Sequence, residues 1–255
     1  MIDIKIIYLI TSYLIFIFPL GILWYYKTGL TKNLLWAIIR MTMQLSAVGF
    51  YLVFLFENNW NWLNIFWVII MTMIAAQAAI SRSNISIKKF FVPVAISMLT
   101  SLALIGLFFL LYILQLKNPF EAKYLITICG MILGNCLGGT VIALRSFFRH
   151  LEHNNYSYKM SLMQGANASE ALRPIFTATI KDAISPTLAN MMTIGLISIP
   201  GMMTGQILGG STPWVAAKYQ MAILLAIFSM LTISVFLTLL LISRKVFNEF
   251  RVVAT

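Results

Sequence analysis

The sequence predicts an all-α integral membrane protein of about seven transmembrane helices, and three observations carry that prediction. Composition comes first. Of 255 residues, 60% are hydrophobic and only 10% are charged, with a mean hydropathy of +0.90, so the solvent of most of this chain is lipid. Second, long apolar stretches recur at about 4–26, 34–56, 62–80, 91–116, 123–144, 187–210 and 214–242. Most exceed the roughly 18–20 apolar residues that cross a bilayer as helix. Third, the charges separate. Thirteen basic residues, running from Lys27 to Arg251, fall in one set of alternate connections. Only Lys5, Lys117, Lys123 and Lys218 fall in the other, and Arg40 is left inside a span. By the positive-inside rule this predicts N-terminus out and C-terminus in.

The spans follow in order. Span 1 is lipid-like throughout and ends in Trp24, Tyr25 and Tyr26, which suit the membrane interface. It lacks a basic leader and a small-residue cleavage site, so it reads as a retained span rather than a signal peptide. Span 2 carries Arg40 and Gln44 one helical turn apart. An arginine at that depth is expected to face the bundle interior, as a functional group or as structural glue. The outer loop at 57–62, ENNWNW, supplies a second aromatic belt.

Span 3 concentrates small residues at Ala75, Ala76, Ala78 and Ala79, and span 4 is apolar length alone. Span 5 sets Gly130, Gly134 and Gly138 four residues apart, and span 6 repeats the spacing with Gly201, Gly205 and Gly209. Such spacing makes a flat face for close helix approach, within the bundle or between subunits. Asn135 lies within the span 5 face, either as a neutral oxygen ligand or as an interhelical hydrogen bond. Cys129 and Cys136 are the only cysteines; their Cα atoms lie about 10 Å apart along one helix, too far for a bridge, and they read as packing residues. Span 6 is interrupted by Pro200–Gly201, which predicts a kink or a split near its middle. Broken helices at membrane depth are either plain kinks or transport sites.

Several functions are excluded by what is missing. No GxxxxGK[ST] loop is present, so the chain does not hydrolyse ATP itself, and no HExxH is present. All seven acidic residues (Asp3, Glu57, Glu121, Glu152, Glu170, Asp182 and Glu249) fall outside the spans or at their ends. No mid-membrane carboxylate is available to relay protons. His150 and His153 flank Glu152 at a spacing that permits a shared metal or a solvated loop. The fifteen methionines are flexible apolar filler, or, at Met202–Met203, soft ligands for a metal such as Cu(I). The net charge of +11 sits where topology demands it and does not argue for nucleic acid.

The longest segment outside the spans is about 145–186, and its second half reads GANASEALRPIFTATIKDAISP from Gly165. Asn167 followed by Glu170 predicts a capped helix start. Pro174 fits the first turn of a second short helix and Pro186 its close. Ile175, Phe176, Thr179, Ile180, Ala183 and Ile184 give that helix an apolar side. Such a helix either lies on the membrane surface or docks into a groove on a partner.

This loop, with Gly165 and Ala166 ahead of a proline-flanked short helix, resembles the coupling loop of ABC-transporter membrane subunits. GMILGN (130–135), GLISIPGMMTG (195–205), AAKYQ (216–220) and RMTMQLSAVGF (40–50) resemble the FetB-like permease family across essentially the whole chain. That family is implicated in iron export, with plant relatives linked to aluminium tolerance. The resemblance implies a single permease domain over residues 1–255 with a cytoplasmic coupling loop between spans 5 and 6. It implies a separate ATPase subunit that binds the ATP, and a likeness to homodimeric permeases. Gly165, Ala166, Glu170, Pro174 and Ile180 are then expected to couple to the ATPase. Arg40, Gln44, Asn135, Pro200, Gly201, Met202, Met203 and Gly205 are expected along the pathway or its hinge. A stand-alone channel or secondary carrier is the alternative, and it would need no ATPase.

Overall fold

Apolar length sets where the helices run, and local hydrogen-bond chemistry sets where they stop. The computed structural model describes residues 4–249; Asp3 and Arg251 lie outside them. The described residues form α1 (Ile6–Ser12), α2 (Ile17–Tyr25), α3 (Thr31–Asn58), α4 (Asn61–Arg82) and α5 (Ile87–Phe108). They continue as α6 (Ala122–His153), α7 (Asn155–Met163), α8 (Ala168–Thr193), α9 (Gly201–Leu208) and α10 (Pro213–Glu249). No strand occurs among them. Six helical segments are long and apolar enough to cross a membrane: Ile6–Tyr25, Thr31–Asn58, Asn61–Arg82, Ile87–Ile113, Ala122–His153 and Pro213–Lys245. The remaining apolar stretch, 187–210, is discontinuous. It comprises the last turns of α8, an irregular segment at 194–200, and α9.

The chain divides into two compact units. The first comprises the chain up to Asn59 together with Leu208–Gly210. Here a 3₁₀ turn at Tyr13–Phe16 joins α1 to α2. Pro19 accounts for it: its ring has no N–H to offer the Ile15 carbonyl and clashes with it, so the preceding turn tightens. Tyr13 donates its hydroxyl to Thr42 Oγ1 at 2.6 Å, tying this bent hairpin to α3. Neither α1 nor α2 has a buried residue, so their apolar side chains are left uncovered in this unit.

The second unit, Trp60–Ile207 with the chain from Ser211 onward, holds the core. Its centre is α6, which packs against α4, α5, α8 and α10. Ala76 and Ala79 of α4, Ile132, Cys136, Ala143 and Phe147 of α6, and Met230, Leu231 and Leu239 of α10 are fully or nearly fully buried there. Small residues permit the close approach, but not the glycines expected. A Cβ placed at Gly134 or Gly138 would meet nothing within 4 Å, and one at Gly130 meets only the flexible end of Met71. The tight position is Gly139. A Cβ there would lie 2.6 Å from Leu231 Cδ1 and 3.2 Å from the Ala183 carbonyl oxygen, so α6, α8 and α10 meet only because it is absent. One residue along a helix is about 100° around it. The Gly134–Gly138 side is therefore not the side that packs within the second unit.

The segment 145–186 also departs from expectation, because it is almost wholly helical. α6 continues to His153, past the end of its apolar stretch. α8 is one 26-residue helix with both Pro174 and Pro186 inside it, rather than a short helix bounded by them. Leaving the bilayer does not end a helix when good helix formers follow, here Arg145, Arg149, Leu151 and Glu152, and no Gly or Pro intervenes.

Candidate functional site

The functional geometry of the second unit is organised around α8, and its start is built from four residues of turn. α7 ends with Gly165 at φ +93°, a left-handed conformation that glycine adopts freely. The Ala166 N–H donates to the Ser161 carbonyl at 3.0 Å and the Gly165 N–H to Leu162 at 3.1 Å, which is the Schellman arrangement that closes a helix. Asn167 then opens α8 with a complete capping box. Its side-chain oxygen accepts the Glu170 N–H at 2.9 Å, and Glu170 Oε2 accepts the Asn167 N–H at 2.9 Å. Gly165, Ala166 and Glu170 thus come together as one joint in which one helix is stopped and the next started. Pro174 is exposed one turn further on, and Ile180 is half-buried.

Ile180 lines a groove of about 780 Å³ between α8 and α10. Leu172, Phe176, Phe236 and Leu240 give it an apolar floor, and Arg173 and Arg244 stand on its margins.

The flank of α8 is pinned to α6 by a charged cluster that includes His150, which the sequence reading left between a shared metal and a solvated loop. Asp182 Oδ2 accepts from the Ser146 hydroxyl and from Arg149 at 3.3 Å, and pairs with His150 Nε2 at 3.1 Å. The Ser146 hydrogen bond, then His150 and Arg149, hold the Asp182 carboxyl below its ordinary range against a desolvation that pushes the other way. Ser146, Arg149 and His150 sit three and four residues apart, on one face of α6. That spacing was visible in the sequence but informative only once α6 was known to continue through it. Beside them Arg145 donates to the Arg82 carbonyl, capping the last turn of α4 with a cation where the helix dipole favours one.

The far end of α8 is the break. Ile194 turns extended, Gly195 takes φ +86°, and its N–H donates back to the Ser198 carbonyl at 2.9 Å. The Thr193 carbonyl accepts from Ile197 at 3.1 Å. This tight loop closes much of its own backbone hydrogen bonding and leaves Leu196 88% and Ile197 83% exposed at its tip. The Pro200 carbonyl accepts from the Thr204 N–H at 3.0 Å, so Pro200 starts α9 rather than kinking a continuous helix. Gly201 and Gly205 have open space where a Cβ would be, and Met202 packs at the edge of the core. Met203 is half-buried.

The other expected pathway residues lie elsewhere. Asn135 is exposed on α6 beside the open Gly134, and its amide donates to its own helix at Met131 O, 2.8 Å away. Arg40 and Gln44 belong to α3 in the first unit, and within that unit both are exposed. Among the described residues no three His, Cys, Asp or Glu side chains converge as metal ligands. Gln206 and Gln220 Oε1, Thr179 Oγ1, Ser234 Oγ and Thr238 Oγ1 are buried and have no hydrogen-bond partner among the described residues; Ser234 and Thr238 were not singled out in the sequence.

Known proteins resemble this chain in sequence. The model of the uncharacterised protein family UPF0014 matches residues 6–247, which includes the joint, the groove, the Asp182 cluster and the break. The chain belongs to the UPF0014 family. Its relatives include the UPF0014 membrane protein slr1647 of Synechocystis sp., 33% identical over 87% of this chain and 85% of that protein. The probable iron export permease protein FetB of Escherichia coli is 28% identical over 88% and 85%. Protein ALUMINUM SENSITIVE 3 of Arabidopsis thaliana is 27% identical over 77% and 70%. No solved structure matches. Family and helices together make this UPF0014 member a multi-pass membrane protein.

Proposed function

We propose that this chain is the membrane-spanning permease subunit of an ABC-type transporter that exports iron or a related metal, with ATP bound and hydrolysed by a separate subunit. The observation that carries the reading is α8 itself. One helix of about 39 Å, at 1.5 Å per residue, joins a rigid two-helix joint at Gly165–Asn167 to the irregular segment at 194–200. A partner that grips the joint and the α8–α10 groove moves the whole rod, and its displacement arrives where regular hydrogen bonding is already broken.

The excess of basic residues in these connections supports a cytoplasmic side for the joint, where an ATPase would dock. Asn135, Pro200, Gly201, Met202, Met203 and Gly205 serve the passage and its hinge, and the family likeness adds Arg40 and Gln44. The cargo is contacted by amide and carbonyl oxygens and by thioethers rather than by a carboxylate–imidazole cage. Weak ligation of that kind suits an ion that must leave as readily as it arrives. The name of the Escherichia coli relative supports iron, and that of the Arabidopsis relative, which concerns aluminium, keeps the metal class broad. The open Gly134–Gly138 side of α6 is suited to a second copy of the chain.

A tagged pull-down in mild detergent tests the partnership. A P-loop ATPase is expected with the wild-type chain and is expected to be lost when Gly165, Ala166 and Ile180 are replaced together. Absence of any ATPase from the wild-type sample, under conditions that keep other membrane complexes intact, would favour a stand-alone channel or carrier.

A further inference from the structure

We infer that the pocket between α6 and α8 binds the phosphate of an anionic phospholipid. The pocket measures about 440 Å³ and is lined by Arg145 and Arg149 of α6 and by Lys181, Asp182 and Ser185 of α8. That volume falls within the range of small-molecule sites.

Its level in the membrane follows from two helices independently. The apolar stretch of α6 ends at residue 144, one position before Arg145, and the apolar stretch that α8 enters begins at 187, just after Ser185 and Pro186. Both transitions from apolar to charged fall in this one pocket. Ile142 and Pro186 line its apolar side, where acyl chains would run. A basic pocket between helices at the interface is the setting in which anionic headgroups are held.

The charge balance favours an anion. Three cations face one carboxylate, and Asp182 Oδ2 is already engaged by Ser146, Arg149 and His150. Arg145 is held on a backbone carbonyl, which leaves its charge uncompensated, and Lys181 makes no ion pair among the described residues. A phosphate seated between Arg145 and Lys181 would neutralise both and bridge α6 to α8; the Ser185 hydroxyl beside it already donates to the Lys181 carbonyl at 2.6 Å.

Native mass spectrometry of the purified full chain in mild detergent tests this, titrating phosphatidylglycerol, phosphatidylcholine and inorganic phosphate separately. Wild type should retain phosphatidylglycerol in preference to phosphatidylcholine. Lys181→Gln and Arg145→Gln should each weaken that binding about fivefold, the effect of removing one interfacial charge. Lys159→Gln, on α7 and outside the pocket, should leave it unchanged. Lys181 has no ion partner to lose, so its variant carries the test even where the Arg145 variant loosens α4. Equal binding by Lys181→Gln and wild type would overturn the inference, as would an equal loss with Lys159→Gln. Displacement of the lipid by millimolar inorganic phosphate would instead mark a free-anion site and contradict the lipid assignment.

Discussion

Gly165 shows how much one backbone angle can decide. At φ +93° it closes α7 so that Ala166 and Asn167 can open α8 in the next step. An alanine has space for its methyl, since nothing lies within 4 Å, yet it must adopt a conformation that L-residues resist by about 1–2 kcal/mol. Gly165→Ala should therefore lower the thermal midpoint slightly while weakening ATPase capture far more, read by the same pull-down. Asp182 is the second residue whose behaviour follows from its surroundings. Its folded pKa lies below the ordinary 3.8, so its contribution is complete above that value and is lost as pH falls through the lower, folded one. The carboxylate is about a third exposed, so the contribution is under about 1 kcal/mol. In detergent melts, wild type should exceed Asp182→Asn by a small margin at pH 7, and the margin should close below about pH 4. A margin that grows on acidification would contradict the assignment of Asp182 as an ionised clamp.

Elements differ in how plainly the sequence announces them. Six spans were legible because hydropathy over some twenty residues reports membrane crossing directly. α8 was not, because Pro174 and Pro186 look like helix ends and the capping signal at Asn167 marks only a beginning. A proline costs a helix one hydrogen bond, and packing of Leu172, Ile175, Thr179 and Ala183 into the core holds the helix through both. The glycine spacing in α6 was read as a contact face, but which side packs depends on rotation about the helix axis, which spacing does not encode, and Gly139 rather than Gly134 meets Leu231. The Asp182 cluster was hidden for a related reason, since its partners lie 32–36 residues away. If α8 transmits force as a rod, softening its middle should uncouple without unbinding. Ala178→Gly, at about 1 kcal/mol of helix propensity, should leave ATPase capture intact while lowering ATP-driven transport. Equal loss of both would mean that α8 is a docking element alone.

At the scale of the molecule, the described structure separates an α6-centred bundle from the α1–α3 unit. The bundle carries the joint, the groove, the break and the basic pocket. The α1–α3 unit carries Arg40 and Gln44, exposed on α3. The most direct measurement is metal flux in proteoliposomes containing this chain with and without the ATPase that the pull-down is expected to capture. Ferrous iron should move only when both subunits and ATP are present, and Ala178→Gly should slow it. Iron crossing with this chain alone, down its gradient and indifferent to ATP, would contradict the permease-subunit account and establish a channel.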